Sequence, residues 1–209
     1  MVRNRDALLG ALKETASQTA GPYVHIGCTP NAAGIAGVYP EDLGARMIVG
    51  DAAGARITIR GAVIDGGGAV LRDAMVEIWQ ADAAGLFNSP EETRGAADPA
   101  FTGWGRSASD MHGGDFVFHT IRPGAVRLRD GRMQAPHVTL WVVARGINIG
   151  LQTRMYFPED ADAHRSDPAL GRIEHRDRVA TLIALPDGPG AYRFDIRLQG
   201  PGETVFFDI

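Results

Sequence analysis

Cysteine and lysine are nearly missing from this sequence, which holds one of each, Cys28 and Lys13, in 209 residues. A lone cysteine cannot close an internal disulfide, so nothing in the fold requires an oxidising compartment. No hydrophobic run approaches the roughly 18 residues of a membrane span. The opening MVRNRDALLGALKETAS carries no signal-peptide cleavage pattern, and a cytoplasmic location is expected. Runs of five or six like charges are absent too, and the net charge is −4, which removes the electrostatic footprint of a nucleic-acid binder. Standard catalytic signatures are missing: there is no HExxH, no GxxxxGK[ST], no GxGxxG between strand and helix, no GxSxG and no cysteine pair.

What the sequence has instead is glycine and proline, 27 and 12 residues. That content suits short strands joined by tight turns better than long helices. Residues 6–14 read as a short helix, and residues 17–30 as a Gly- and Pro-punctuated extended arm that must pack on something. Period-two alternation begins at RITIRGAVID, followed by the turn Asp65-Gly66-Gly67-Gly68 and AVLRDAMVEIWQAD, which reads as a hairpin or bulged pair. Residues 83–114 form a long polar loop with room for function. Strands resume at GDFVFHTI, HVTLWVVAR and LQTRMYF, and a polar excursion with a helical turn spans residues 158–178. After Pro186-Asp187-Gly188-Pro189-Gly190, Tyr192, Phe194, Ile196 and Leu198 alternate with polar residues. With ATLIAL and ETVFFDI counted, seven or eight strands are expected. The fold class is all-β: a two-sheet β-sandwich with an N-terminal helix, an extended arm and long loops. Residues 1–55 are expected to pack on a partner chain and residues 56–209 to form the sandwich core.

Candidate chemistry from single residues is thin. Histidine is the commonest metal ligand, so His112, His119 and His137 make one conceivable site. A strand histidine such as His119, however, is more often a hydrogen-bonded core or rim residue than a ligand. Cys28 reads as a small buried apolar side chain rather than a nucleophile, since nothing nearby in sequence lowers its pKa. Asp65 and Asp187 precede glycines and are turn residues. Trp79 and Trp141 lie in strands and read as core, with Trp104 the third tryptophan.

Longer motifs carry more. SQTAGPYVHIG at 17–27, VEIWQADAAGLF, FHTIRPG, APHVTLWVVARGIN, RMYFPED and YRFDIRLQGPGETVFFDI, in this order, resemble the alpha-type chains of the intradiol ring-cleavage dioxygenase family over nearly the whole length. The resemblance implies a β-sandwich subunit paired with a homologous beta chain in a larger hetero-oligomer, each pair holding one non-haem ferric ion. The implied reaction inserts both atoms of O2 into 3,4-dihydroxybenzoate (protocatechuate) to give 3-carboxy-cis,cis-muconate, a step of aromatic catabolism in the beta-ketoadipate pathway.

The resemblance also implies where this chain departs from the iron-binding pattern. In the family's catalytic chains two Tyr and two His hold the ion. The corresponding positions here are Phe87, Val126, His137 and Thr139, and the Arg usual three residues before the first His is Gln134. Phenyl and isopropyl groups have no donor atom for Fe(III), so the ion is expected in the partner beta chain and the pocket here to be a relic. What remains is a contribution to the partner's substrate pocket. By position in the TAGPY run this falls to Thr19, Gly21, Pro22 and Tyr23, joined by Arg145 as a carboxylate-orienting or interface residue. Two rival readings stand beside this one. The first is a self-sufficient dioxygenase recruiting Tyr156, Tyr192, His112 and His119, and the second is a binding or scaffolding sandwich without a catalytic role.

Overall fold

Strand β1, Arg56–Ile64, is the spine of one sheet of the computed structural model, which describes residues 19–148 and 150–208. Along β1 the side chains of Ile57, Ile59 and Val63 are buried while Arg56 and Arg60 face solvent, the alternation expected of a half-buried strand. On one side β1 pairs antiparallel with β4, Asp115–Ile121. On the other it pairs in parallel with β10, Ala191–Arg193, and then β11, Ile196–Arg197, and β10 also pairs with β9, Leu185–Pro186. The ladder breaks between β10 and β11 because the Asp195 carboxylate, not a backbone carbonyl, accepts the Ala62 N–H at 3.0 Å.

The facing sheet is antiparallel, in the order β3 (Trp104–Ala108), β2 (Met75–Gln80), β7 (His137–Val143), β8 (Leu151–Tyr156). A two-residue ladder, β5 (Val126–Arg127) with β6 (Met133–Gln134), forms a small hairpin beside it. Val76, Ile78, Val138, Leu140, Val142 and Met155 of this sheet meet Ile57, Ile59, Phe116, Phe118, Phe194 and Ile196 of the first in one core, joined by Met47, Ala52 and Phe101. Buried Gln80 ties the layers by polar contact: its amide donates to the Ile121 carbonyl at 2.9 Å and accepts from the Thr120 hydroxyl at 2.8 Å. No described helix is long and apolar enough to cross a membrane.

Several expectations need correction. Helix α1, Pro22–Cys28, replaces extended arm; Pro22 stands in its first turn, where a proline costs no hydrogen bond. The helix expected over residues 6–14 lies outside the described residues. β1 and β2 are not a hairpin: after the bridge Ile64↔Val70 the chain crosses to the other sheet. The turn itself forms, with the Asp65 carboxylate accepting from the N–H groups of Gly67 and Ala69. The 83–114 loop contains β3, and ATLIAL is no strand of its own: its first half ends the 3₁₀ helix Arg176–Leu182, Ile183 makes a single bridge to Tyr156, and Leu185 begins β9. Among the described residues the segment after Gly202 forms no strand, and its one β contact is the bridge Gln152↔Phe207. The excursion after Pro158 holds α2, Ala161–Ser166, flanked by 3₁₀ turns. Cys28 and Trp79 are half-buried, and Trp141 is 37% exposed because its side chain lies on the outer face of β7.

A second core cluster, Ala135, Tyr156, Leu170 and Leu182, sits under α2. His137 is buried beside it, and its Nδ1–H donates to the Ala135 carbonyl at 2.8 Å. Asp167 in turn accepts from the N–H groups of Ala135 (2.7 Å), Ala169 (2.7 Å) and Leu170 (3.0 Å). Burial, reinforced by nearby Arg154, pulls the His137 pKa down to about 4.

Two expected outcomes follow from this packing. A Cβ at Gly61 would lie 1.9 Å from the Phe194 carbonyl oxygen, which is backbone and cannot swing aside. Gly61→Ala is therefore expected to cost at least about 2 kcal/mol in urea unfolding, and a loss under about 0.5 kcal/mol would contradict the close approach. For His137, the unfolded imidazole takes up a proton as pH falls below its ordinary value of 6.5, while the folded one resists until about 4. Stability should thus fall by about 3 kcal/mol as pH drops through that window. His137→Gln should remove that part of the slope; an unchanged slope would assign it to other groups.

Candidate functional site at the two ends of one sheet

At the end of β2 the buried Asp82 carboxylate organises the loop that follows. It accepts from the N–H groups of Ala84, Leu86 and Asp98, each at 2.9 Å. Gly85 has φ +82°, and a Cβ there would lie 2.1 Å from the Ala125 carbonyl, so only glycine lets this loop nest against the segment leading to β5. The result is a cleft of about 920 Å³ lined by Trp79, Phe87, Val126 and Gln134, among others. The Phe87 ring stacks on Trp79 with centroids 6.0 Å apart and planes within 4°. Its N–H donates to Glu92, whose carboxyl is held down to about 2 by the paired Arg94.

The four ligand-equivalent positions do not assemble a ferric site. Phe87 and Val126 line this cleft, Thr139 lines an adjoining one, and His137 is buried with its Nδ1–H committed to Ala135. Phenyl and isopropyl groups offer no lone pair, and one imidazole with one neutral hydroxyl falls short of the anionic donors a hard trivalent ion needs. The cleft is open, but its side chains do not fit the metal.

The rival set does not converge either. Tyr156 lies on β8 of one sheet, whereas Tyr192 and His119 lie on β10 and β4 of the other, and His112 is in an exposed turn. His119 is a rim residue within hydrogen-bonding distance of the Thr58 hydroxyl. Burial pushes both phenols up to about 12, and the Glu159 carboxylate that accepts from Tyr192 adds to that shift, so each resists becoming a phenolate ligand. Among the described residues no group of three His, Cys, Asp or Glu side chains is placed to hold a metal ion.

At the opposite end of β7 the arm residues meet Arg145. The Thr19 hydroxyl donates to the Ala144 carbonyl at 3.3 Å and accepts from the Gly146 N–H at 2.8 Å, clasping the turn that carries Arg145. Gly21 stands at the start of α1, with Pro22 and Tyr23 next. His25 Nε2 lies 2.8 Å from the Asp73 carbonyl, and the Asp73 carboxylate forms an ion pair with Arg145. The structure therefore brings Thr19, the start of α1 and Arg145 into one cluster. Tyr23 is 82% exposed, and among the described residues nothing lies within 4 Å of a Cβ built at Gly21, so none of them demands glycine there.

Asp73 is the residue that sequence reasoning missed. It lies 72 positions from Arg145, and only the antiparallel pairing Met75↔Val143 brings the two together. From His137, beside the cleft that Trp79 and Gln134 line, to Val143, just before the turn that carries Arg145, β7 runs six residue steps, which at about 3.3 Å each puts the arm cluster about 20 Å from the cleft.

Comparison with known proteins agrees with this architecture. Residues 36–200 match the family model described as Dioxygenase. The chain is 46% identical over 200 residues to the protocatechuate 3,4-dioxygenase alpha chain of Pseudomonas putida, covering 94% of this chain and 97% of that one. It is 33% identical over 163 residues to the beta chain of the enzyme of the same name from Burkholderia cepacia, covering 74% and 69%. Among solved structures, hydroxyquinol 1,2-dioxygenase from Pseudomonas putida DLL-E4 superposes with a TM-score of 0.53 at 16% identity, over 92% of this chain and 69% of that one, a likeness of fold. With the sandwich, the ordered motifs and the family match on 165 of its 209 residues, this chain belongs to the intradiol ring-cleavage dioxygenase family.

Proposed function

We propose that this chain is the alpha subunit, without iron of its own, of an Fe(III)-dependent dioxygenase that cleaves protocatechuate with O2 to 3-carboxy-cis,cis-muconate. It acts in the cytoplasm in an αβ hetero-oligomer, and its part is to complete the substrate pocket of the iron-holding beta chain. One observation carries the reading. The residues suited to contact substrate sit about 20 Å from this chain's own cleft, on an outward-facing cluster, so whatever they serve belongs to another chain.

The stretch of chain from α1 onward supports an interface. Tyr23, Ile26, Val38, Tyr39, Leu43 and Val49 are all exposed, a density of large apolar side chains in one short stretch that a covered surface explains and a solvated one does not. The ferric ion, when bound in the partner, supplies the activation of the catechol toward O2. The groups of this chain bind and orient. The Gly21-Pro22 backbone forms a flat wall, the Tyr23 hydroxyl offers a neutral hydrogen bond, and Arg145 offers a charge-assisted one to the substrate carboxylate. Arg145 is 72% exposed at its side chain while pairing with Asp73, so Asp73 holds it in place and leaves its outer N–H groups free.

The ion pair also supports a second reading, in which Arg145 only stiffens the interface. Kinetics of the αβ enzyme separate the two. Arg145→Ala is expected to lower kcat/KM for protocatechuate by about tenfold to a hundredfold, the equivalent of roughly 1.5 to 3 kcal/mol, and to spare catechol, which lacks the carboxylate. Tyr23→Phe should cost less, roughly 0.5 to 1.5 kcal/mol, with iron content unchanged in both variants. Equal losses on the two substrates would retire the substrate contact and leave Arg145 structural.

A further inference from the structure

We propose that the pocket between the β5–β6 hairpin, β8 and the C-terminal segment is a binding site for a small aromatic carboxylate. Its volume is about 660 Å³, within the roughly 300–1,000 Å³ typical of small-molecule sites. Arg129, Arg154, Arg172, Gln152, Thr139 and Phe207 line it. Two acids and a fourth arginine border it as well, but Asp130 already pairs with Arg132 at 2.6 Å, which leaves one acid, the exposed Asp208, against three arginines in the lining. Among the described residues no carboxylate pairs with Arg129, Arg154 or Arg172. In a chain of net charge −4, this concavity carries an excess of positive charge.

Arg154 is the centre of the argument. It is half-buried on β8, and its guanidinium lies 5.7 Å from the Phe207 ring centroid. Its other polar contact is a long one, 3.5 Å to the Tyr156 hydroxyl. A guanidinium beside an aromatic wall, half out of water and without an acid partner, keeps N–H donors for a bidentate anion. Phe207 and Leu128 give the same space an apolar side that a compact inorganic anion would not use and an aromatic ring would. Carboxylate on Arg154 and ring against Phe207 satisfy both halves of the lining. The site does not depend on the subunit role proposed above, since it uses none of the arm residues.

Calorimetric titration of the full chain with benzoate tests this, with the partner co-purified where the chain needs one. Arg154→Gln and Arg172→Gln in this chain leave any partner site intact, so the difference between isotherms reports this pocket alone. Saturable binding that weakens about tenfold or more in Arg154→Gln, weakens in Arg172→Gln and falls with added salt is the expected result, with benzyl alcohol failing to bind. Arg172 is exposed, so Arg172→Gln decides the matter if Arg154→Gln unfolds. Identical isotherms for parent and variants would overturn the site, and tighter binding of inorganic phosphate than of benzoate would overturn the ligand class.

Discussion

Strand β7 fixes the distance on which everything else depends. It is paired on both sides, with β2 over six residues and with β8 over six, and its inward side chains Val138, Leu140 and Val142 are fully buried. A strand held this way neither shortens nor slips, because a one-residue slip would put Trp141 and Thr139 into the core. Its ends are therefore two separate places. One end carries the cleft with Phe87 and Val126 and the adjoining pocket with Thr139; the other carries Thr19, Tyr23, Asp73 and Arg145. A chain that served its own cleft with its own arm would need the two within reach of one small ring, and β7 forbids it.

The cleft end keeps an elaborate support. Asp82 holds three backbone N–H groups, Gly85 takes a positive φ, and Glu92 anchors the Phe87 backbone. What differs from the family's iron-binding pattern is the outermost chemistry. The Phe87 ring is held between Trp79, on which it stacks, and the Arg94 guanidinium, and Val126 adds bulk without a donor atom. Scaffolding of backbone hydrogen bonds leaves these positions free to vary, because it does not involve the Phe87 and Val126 side chains.

Strands with clean alternation were legible in the sequence: β1, β4 and β7 lie where Ile57 and Ile59, Phe116 and Phe118, and Val138, Leu140 and Val142 put one face inward. Partnership was not legible. The Asp65 turn is real, yet β1 takes its neighbours from residues 115–121 and 191–197, because the parallel pairing with β10 and β11 arises from contacts more than 130 residues apart. Helix α1 escaped notice because Gly21-Pro22 reads as extended chain, although a proline in the first helical turn is equally favourable. Trp141 reads as core from its place in a strand, whereas its outward parity on β7 decides its exposure. At the site, the donor-poor positions came from motif resemblance and the Arg145–Asp73 pair from the fold alone, since nothing local links two charges so far apart.

The central claim is that iron belongs to the partner and the pocket wall to this chain. It is tested most directly by measuring iron content and the visible tyrosinate-to-Fe(III) absorption of the chain purified alone and with its beta partner. The account predicts a colourless chain alone, with iron well below one ion per chain, and one iron with the coloured band for each αβ pair. Stoichiometric iron with that band in the single chain would contradict it, because Phe87, Val126 and Thr139 offer no phenolate or imidazole to produce either.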